Sequence, residues 1–207
     1  MKQDKINKKF VYLISPNKIP DISFYDDLAL VLSSKKISFF QLRLKKVTNL
    51  NKLIIGKKIK KICNKYKVKF LINDDPLLAK KLNADGCHLG QKDMDLIKAR
   101  KILKNKIIGV TCHNSINLAK RAIKDGANYL AFGAFYATKT KTVKYRASLT
   151  VLKSIKKITS LPIVAIGGIK FSNYKKLLLN KANFLAISGY IWNNKKYKPL
   201  EAIKKLK

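Results

Sequence analysis

The sequence predicts an α/β fold, a single (β/α)8 TIM barrel that covers residues 1–207. Eight short apolar runs alternate with longer amphipathic segments, which is the pattern of parallel strands joined by helices. Eight such units close naturally into a barrel, and 207 residues suffice for one domain with a substantial core. The alternative, an open doubly wound sheet, is disfavoured because no GxGxxG motif follows the first strand.

The eight apolar runs are the predicted strands, and they occupy residues 10–15, 37–43, 68–73, 86–89, 106–110, 129–132, 163–166 and 184–188. Polar residues that can cap a helix precede several of the segments between them, including Asp75, Ser115 and Asn173. The segment 133–147, after the sixth strand, is a long polar connection. Because the carboxyl ends of barrel strands carry the chemistry in enzymes of this architecture, we expect the site there.

The chain is strongly basic, with a formal net charge of +35. One hypothesis is therefore a basic nucleic-acid-binding barrel. Nearly all the basic residues are lysines, however, and they are dispersed over almost every predicted helix instead of forming a stripe. We interpret them as a solvated surface and expect no specific nucleic-acid partner, although the same positive field would attract anionic small molecules.

The apolar runs also bear on the compartment. None approaches the roughly 20 residues that span a bilayer, and the run 11–14 is too short for the core of a signal peptide. The cysteines Cys63, Cys87 and Cys112 are odd in number and widely spaced, which disfavours disulfides and a structural zinc site. We expect a cytoplasmic protein without membrane contact. The oligomeric state stays open, and a homo-oligomer is one possibility.

The second predicted strand ends in Gln41-Leu42-Arg43-Leu44-Lys45. Alternation along a strand places Gln41, Arg43 and Lys45 on one face. An amide, a forked guanidinium and an ammonium together suit the oxygens of a diphosphate. The alternative is an outward-facing charged strand end, but outward positions of barrel strands pack under helices. The pattern therefore predicts a diphosphate site.

Two carboxylates follow the third and fourth predicted strands. Asn73 and Asp74 close the third strand, and Asp93 lies in the loop after the fourth. Helix capping accounts for Asp75 but not for its two predecessors. Because neighbouring parallel strands end side by side, Asp74 and Asp93 beside a diphosphate would suit Mg²⁺, which favours a few carboxylates, phosphate and water. We interpret His88 on the fourth strand as a hydrogen-bonded core residue.

A second anion site is predicted after strands five to eight. Thr111 offers a hydroxyl at the end of the fifth strand. The sixth loop holds Thr138-Lys139-Thr140-Lys141, in which two hydroxyls and a lysine are spaced to grip a phosphate or a leaving group. Gly168 and Ser188-Gly189 follow strands seven and eight, where small residues let backbone N–H groups approach a phosphate.

The motifs QLRLK, INDD, DGCHLGQKDM, GVTCHN, FGAFYATKTK, PIVAIGGI and AISG stand in this order along the chain. As a set, and over about residues 11–191, they resemble the thiamine phosphate synthase family. The resemblance implies a transferase that joins hydroxymethylpyrimidine diphosphate to a thiazole phosphate or carboxythiazole phosphate. Diphosphate would leave, a pyrimidine carbocation-like species would form, and attack by the thiazole nitrogen would give thiamine phosphate.

The resemblance also implies roles for individual residues. The pyrimidine diphosphate would be bound by Gln41, Leu42, Arg43, Leu44, Lys45, Asn73 and Thr111, the last in place of the family's usual serine. Mg²⁺ would be held by Asp74 and Asp93. The thiazole phosphate would be bound by Thr138, Thr140, Gly168, Ser188 and Gly189. The catalytic residues, which neutralise the departing diphosphate, would be Arg43, Lys45 and Lys141.

Several positions depart from the family's pattern. Ala134 and Ala137 stand where prolines are common, Lys181 stands in a stretch that is usually rich in glycine, and Tyr190 adds bulk beside the phosphate loop. The alternative within this resemblance is a thiazole tautomerase or a non-catalytic relative that binds thiazole phosphate. Tautomerases place a catalytic histidine where this chain has Ala134, so the synthase is favoured.

Overall fold

Eight parallel strands form a closed barrel in the computed structural model, which describes residues 9–138 and 144–206. The strands are β1 (Val11–Ile14), β2 (Ile37–Leu42), β3 (Lys69–Asn73), β4 (Gly86–Leu89), β5 (Ile107–His113), β6 (Tyr129–Gly133), β7 (Ile163–Ile166) and β8 (Phe184–Ile187). Each strand pairs with the next, and β8 pairs with β1 to close the ring. The predicted fold class is confirmed.

Helices connect the strands around the outside of the barrel. They are α1 (Ser23–Ser33), α2 (Asn49–Lys65), α3 (Pro76–Lys81), α4 (Leu96–Leu103), α5 (Ile116–Lys124), α6 (Leu149–Lys156), α7 (Tyr174–Leu179), α8 (Gly189–Trp192) and α9 (Pro199–Lys205). Two of the predicted caps are confirmed, since Asp75 accepts from the amide of Leu78 and Ser115 from that of Leu118. None of the helices described has the length and apolar character of a membrane span.

Strand alternation divides the apolar residues into two layers. The smaller layer lies inside the barrel and contains Tyr12, Ile14, Leu71, Tyr129, Ala131, Val164 and Ala186. The larger layer lies between the strands and the helices, and includes Leu13, Phe40, Phe70 and Leu130. Outward strand positions therefore pack under helices, as predicted. The same alternation directs Gln41, Asn73 and His88 into the carboxyl-terminal mouth of the barrel.

Five strands end elsewhere than the sequence predicts: β1, β2, β6 and β8 by a single residue, and β5 by three. β2 ends at Leu42, one residue before the predicted end at Arg43. β5 continues beyond the predicted end at residue 110 and reaches His113, because its pairing with β6 shifts register between Thr111 and His113. Thr111 is therefore part of the barrel wall.

A three-residue motif recurs before β4, β6 and β8 and joins each strand to the one before it. The triplets are Asn83-Ala84-Asp85, Gly126-Ala127-Asn128 and Lys181-Ala182-Asn183. The first residue of each has positive φ, at 47°, 89° and 75°. The side chain of the third accepts the amide of Phe70, Ile108 or Ile163 at 2.8–2.9 Å. Sequence analysis did not reveal this repeat, because the triplets share little beyond an alanine followed by Asp or Asn.

Basic side chains bind main-chain carbonyls at the amino-terminal rim of the barrel. The ammonium of Lys60 lies 3.0 Å from the carbonyl oxygen of Leu82, and that of Lys106 lies 2.6 Å from that of Ala84. The guanidinium of Arg100 donates to the carbonyls of Lys104, Lys106 and Gly126. With 46 basic and 11 acidic residues, the chain cannot pair its cations with carboxylates alone. Carbonyl binding at helix ends gives part of the lysine excess a structural role.

Candidate active site

The segment after β2 stays extended because it continues alongside the end of β1. The amide of Arg43 donates to the hydroxyl oxygen of Ser15 at 2.9 Å, and the amide of Lys45 donates to the carbonyl of Asn17 at 3.0 Å. The side chain of Arg43 also contacts the side-chain oxygen of Asn17. Gln41, inside the barrel, is only 2% exposed. The predicted face of Gln41, Arg43 and Lys45 thus lies along one side of the mouth.

Leu42 and Leu44 alternate with these polar residues and point the other way. Both side chains are buried in the outer apolar layer, beneath the helices. The physical reason is the two-residue period of extended backbone, which sends neighbouring side chains to opposite faces. The side chains of Leu42 and Leu44 therefore face away from the mouth, and their main chain is the part that faces it.

Lys45 and Asp74 form an ion pair across the ends of β2 and β3. The Nζ of Lys45 lies 2.8 Å from Oδ2 of Asp74, with side chains 48% and 31% exposed. Asp74 adopts a φ of 67°, an uncommon value for a residue with a side chain, and its amide donates to the carbonyl of His88. Burial lowers the pKa of the nearby Arg43 guanidinium, and the Asp74 carboxylate opposes that effect.

The carboxyl groups of Asp74, after β3, and Asp93, after β4, are close enough to shift each other's pKa. Burial raises the pKa of Asp93, and the neighbouring Asp74 raises it further because two adjacent carboxylates repel each other when both are ionised. Burial also acts to raise the pKa of Asp74, but Lys45 at 2.8 Å and the neighbouring Asp93 outweigh it and leave that pKa below its ordinary value. The amide of Gly90 fixes the Asp93 carboxylate at 2.6 Å.

This carboxyl pair has the chemistry of a divalent-cation site. Two neighbouring carboxylates repel each other, and a bound cation would relieve that repulsion. Within residues 9–138 and 144–206, no group of three or more His, Cys, Asp or Glu side chains is arranged to hold a metal. Two carboxylates without further side-chain ligands fit Mg²⁺, which keeps several waters and binds through substrate phosphate oxygens.

His88 and Thr111 form the floor of the mouth between β4 and β5. The Nε2 of His88 lies 2.8 Å from the Thr111 hydroxyl oxygen, and its Nδ1 lies 2.8 Å from the Tyr129 hydroxyl oxygen. His88 is hydrogen-bonded as expected, but it is only partly buried at the mouth and is not the buried core residue expected from the sequence. Gln91 was assigned no role from sequence, yet its amide nitrogen donates to the carbonyl of Thr111 at 2.5 Å and ties the β4 loop to β5.

The far side of the mouth, after β7 and β8, is lined by backbone. Gly168 has a φ of 62°, and a Cβ there would lie 2.3 Å from the carbonyl oxygen of Ala137. The amides of Gly189 and Tyr190 open α8 and donate to no backbone carbonyl in the part of the chain described. The hydroxyl of Ser188 donates to the carbonyl of Ser15 at 3.2 Å, which ties β8 to β1. Amides turned to a polar mouth suit a phosphate.

Of the predicted residues in the sixth loop, Thr138 is described, whereas Thr140 and Lys141 lie outside the described residues. The base of this loop is fixed on both sides. Ala134 exchanges hydrogen bonds with Tyr145 and Ala147, at 3.1 and 2.9 Å, and the amide of Tyr136 donates to the carbonyl of Gly167. Alanine thus accommodates both hydrogen bonds at position 134, and its N–H is one of the donors, which a proline would lack.

Tyr190 does not intrude on the phosphate loop. The expectation that its bulk would lie there is wrong, because the ring packs against the outer apolar layer beneath α7 and α9. Burial, with contributions from Tyr197 and Tyr174, raises the pKa of its hydroxyl. The side chain at the second position of α8 thus points away from the mouth, and its amide remains at the edge of the mouth.

The sequence and the fold have counterparts among known proteins. The family model described as thiamine monophosphate synthase matches residues 11–191. The chain belongs to this family. A thiamine-phosphate synthase of Pelagibacter ubique (strain HTCC1062) is 96% identical over 207 residues, the full length of both chains. Another, of Nitrosomonas eutropha, is 37% identical over 191 residues, 92% of this chain and 90% of the relative.

A solved structure of this family has the same architecture. Thiamine phosphate pyrophosphorylase from Pyrococcus furiosus superposes with a TM-score of 0.82 at 27% identity, covering 97% of this chain and 94% of the other. A 3-hexulose-6-phosphate synthase superposes with a TM-score of 0.66 at 17% identity, which shows the barrel fold alone. For a member of the thiamine monophosphate synthase family, the mouth described above is the region in which to place the substrates.

Proposed function

We propose that this chain, as one domain of residues 1–207, is a thiamine phosphate synthase that condenses hydroxymethylpyrimidine diphosphate with a thiazole phosphate. Membership of the thiamine monophosphate synthase family supports the activity. The observation that carries the assignment of the site is the cluster of Lys45, Asp74 and Asp93 beside Arg43. Two cationic side chains and a pair of neighbouring carboxyl groups provide for both a diphosphate and a divalent cation.

The pyrimidine diphosphate would bind on the side formed by β2 to β5. Arg43 and Lys45 would contact its phosphate oxygens, with the main chain of Leu42 and Leu44 beneath them. Gln41, Asn73 and Thr111 project into the mouth and would orient the pyrimidine ring. Within the part of the chain that the structure describes, the side-chain amide of Gln41 makes no hydrogen bond, although the residue is almost fully buried. Its amide is therefore available to a bound ring.

Asp74 and Asp93 would hold Mg²⁺. When bound, the ion would supply positive charge to the oxygens of the leaving diphosphate. The residues of the chain do the rest: Arg43 and Lys45 stabilise the developing negative charge, and the buried floor of the mouth limits access of water. Lys141 would add a third cation from the sixth loop.

The proposed reaction needs no nucleophilic side chain. The bond between the pyrimidine methylene carbon and the diphosphate oxygen breaks, and its electron pair leaves with diphosphate. The thiazole nitrogen then donates its lone pair to the methylene carbon. For this to occur, the thiazole phosphate must be held across the mouth from the diphosphate, and Gly168, Ser188 and Gly189 with Thr138 and Thr140 would hold it there.

A direct assay tests the proposal. Purified protein is incubated with both substrates, with and without Mg²⁺, and thiamine phosphate and diphosphate are measured. We expect both products in equal amounts, and only with a divalent cation. Failure to form thiamine phosphate with any cation would refute the synthase assignment. Isomerisation of a thiazole phosphate supplied alone would support the tautomerase alternative.

A further inference from the structure

A chain of hydrogen bonds crosses the inside of the barrel from its centre to the mouth. The hydroxyl oxygens of Tyr12 and Tyr129 are 2.8 Å apart. Tyr129 continues to Nδ1 of His88 at 2.8 Å, and Nε2 of His88 continues to the hydroxyl of Thr111 at 2.8 Å. Both tyrosines are at most 3% exposed, so water is excluded from the inner end.

The strand sequence makes room for this chain. A Cβ at Gly109 would lie 1.8 Å from Cζ of Tyr129, so a glycine is required where the ring crosses β5. The ring then stacks beside the imidazole of His88, with centroids 5.6 Å apart and planes 17° from parallel. It meets Tyr12 edge-on at 5.8 Å. Packing on both faces therefore fixes the position of the Tyr129 hydroxyl.

The inner end of the chain sets the direction of all its hydrogen bonds. Burial raises the pKa of both phenols, so each keeps its hydrogen. Among the described residues, Tyr129 is the only hydrogen-bond partner of the Tyr12 hydroxyl. If Tyr12 accepted from Tyr129, its own buried hydrogen would have no acceptor, which is costly. Tyr12 must therefore donate to Tyr129.

Each later step follows from this one. Tyr129 has accepted from Tyr12, so it donates its own hydrogen to Nδ1 of His88. His88 then carries its hydrogen on Nε2 and donates it to the oxygen of Thr111. The Thr111 hydroxyl thus accepts from a protein donor, and its own hydrogen is available to an acceptor in the mouth.

We propose that Tyr129, which accepts from Tyr12, is a positioning residue that holds His88 as the Nε2–H tautomer and thereby presents Thr111 to the pyrimidine substrate as a hydrogen-bond donor. The inference rests on the proposed function only for the identity of the ligand. It specifies the chemistry that the Thr111 hydrogen recognises: an atom with a free lone pair, such as a ring nitrogen. The tautomer of His88 thus influences substrate specificity indirectly, through the hydroxyl of Thr111.

Nuclear magnetic resonance of the imidazole nitrogens tests the tautomer without any substrate. The chain has two histidines, so the variant His113→Asn assigns the remaining signals to His88. We expect the Nε2–H tautomer in the unmodified protein. The variant Tyr129→Phe, which keeps the ring, should show a second population with the hydrogen on Nδ1. In Tyr12→Phe the Tyr129 hydroxyl becomes the closed end of the chain and still donates to Nδ1, so this matched control should keep a single tautomer.

Kinetics then test the consequence for the substrate. Thr111→Val, which cannot donate, should raise the KM for the pyrimidine diphosphate about tenfold, whereas Thr111→Ser should keep it near the original value. Tyr129→Phe should raise the same KM severalfold, and Tyr129→Phe combined with Thr111→Val should be no worse than Thr111→Val alone.

Two results would overturn the inference: an Nδ1–H tautomer in the unmodified protein, or additive kinetic effects of Tyr129→Phe and Thr111→Val. Because the tautomer is measured in the protein without substrate, this test of the inference does not depend on whether the protein has synthase activity. Circular dichroism of each variant verifies that it is folded, and the measurement on the unmodified protein needs no variant to fold.

Discussion

The ammonium of Lys45, from the segment after β2, lies 2.8 Å from the carboxylate of Asp74 at the end of β3. This contact joins the two halves of the proposed diphosphate site before any ligand binds. Asp93 lies beside Asp74, and burial together with that neighbour raises its pKa. The cluster thus combines an ammonium with two carboxyl groups, and a metal diphosphate could bind the carboxyls through its cation while Lys45 turns to the phosphate.

Substituting Lys45 tests this arrangement. We expect Lys45→Gln to lower kcat/KM for the pyrimidine diphosphate about 10²-fold, because the removed charge would face the leaving group. The control is Lys46→Gln, which makes the same charge change at the neighbouring exposed residue. Steady-state kinetics of both variants, at the same ionic strength, separate a local effect from a general loss of positive field. Equal losses in the two variants would refute a specific role for Lys45.

Asp93→Asn should separate metal binding from stability. The amide can still accept from Gly90 and can donate to Asp74, so the fold should be kept and the metal-free protein stabilised at neutral pH. Mg²⁺ with diphosphate should raise the Tm of the unmodified protein but not that of Asp93→Asn. Asp95→Asn is the control, because Asp95 caps α4 through the amides of Ile97 and Lys98, and asparagine caps equally well. A Mg²⁺ response retained in Asp93→Asn would exclude Asp93 as a ligand.

The same carboxyl pair predicts a pH dependence. The pKa of Asp93 is raised in the folded protein, so its contribution to stability is present below the ordinary value of 3.8 and is lost as the pH rises through the folded pKa. Asp74 has the opposite sign: its contribution is present above 3.8 and is lost as the pH falls through its lowered pKa. We expect Mg²⁺ binding to weaken as the pH falls through the pKa of Asp93, with proton release measurable by calorimetry in buffers of different ionisation enthalpy. Binding of Mg²⁺ independent of pH across this range would argue against Asp93 as a ligand for which protons and the cation compete.

Gly168→Ala probes the backbone of the proposed phosphate pocket. The substitution combines a φ of 62° with a Cβ only 2.3 Å from the carbonyl oxygen of Ala137, so we expect a loss of about 2–3 kcal/mol and a raised KM for the thiazole phosphate. Gly126→Ala is matched for φ, at 89°, but its Cβ would meet no atom within 4 Å. It should cost about 1 kcal/mol and leave both KM values unchanged. Denaturant titration measures the stabilities, and similar losses in the two variants would contradict the proposed close approach.

Lys104→Gly should make the protein more stable. Lys104 ends α4 with a φ of 49° and a ψ of −116°, which is strained for any residue with a side chain. We expect a gain of about 0.5–1 kcal/mol, equivalent to a rise in Tm of a few degrees. Lys101→Gly, an exposed position within the same helix, removes the same charge and should instead lose about 1 kcal/mol. A fall in Tm for Lys104→Gly would show that its side chain makes a contribution larger than the strain.

The barrel and most of the proposed site follow from sequence because both rest on simple periods. Alternation of apolar residues located the eight strands, and the two-residue period of extended chain placed Gln41, Arg43 and Lys45 together even though β2 ends at Leu42. The position of Asp74 beside Asp93 follows from the adjacency of β3 and β4. These relationships join residues that are close in the chain or lie on consecutive strands, so a sequence pattern is enough to predict them.

What the sequence did not reveal depends on contacts between distant strands. The hydrogen bond between Tyr12 and Tyr129 joins β1 to β6 across the barrel, and nothing local distinguishes these tyrosines from ordinary core aromatics. The orientation of Tyr190 was wrongly expected because the short turn of α8, and not the bulk of the side chain, decides which way the ring points. The extension of β5 through Thr111 depends on a register shift with β6, which has no signal in β5 itself.

The recurring triplets before β4, β6 and β8 place strand-joining contacts at one rim of the barrel, whereas the proposed site lies at the other. At the amino-terminal rim, Asp85, Asn128 and Asn183 each join a pair of neighbouring strands, so the barrel is fastened at a point remote from the chemistry. The loops at the carboxyl-terminal rim do not supply these hydrogen bonds. Their residues can therefore be substituted without loss of the contacts that hold the strands together at the amino-terminal rim. Substrate preference in this family can therefore evolve by changes in the carboxyl-terminal loops, while hydrogen bonds at the amino-terminal rim maintain the stability of the barrel.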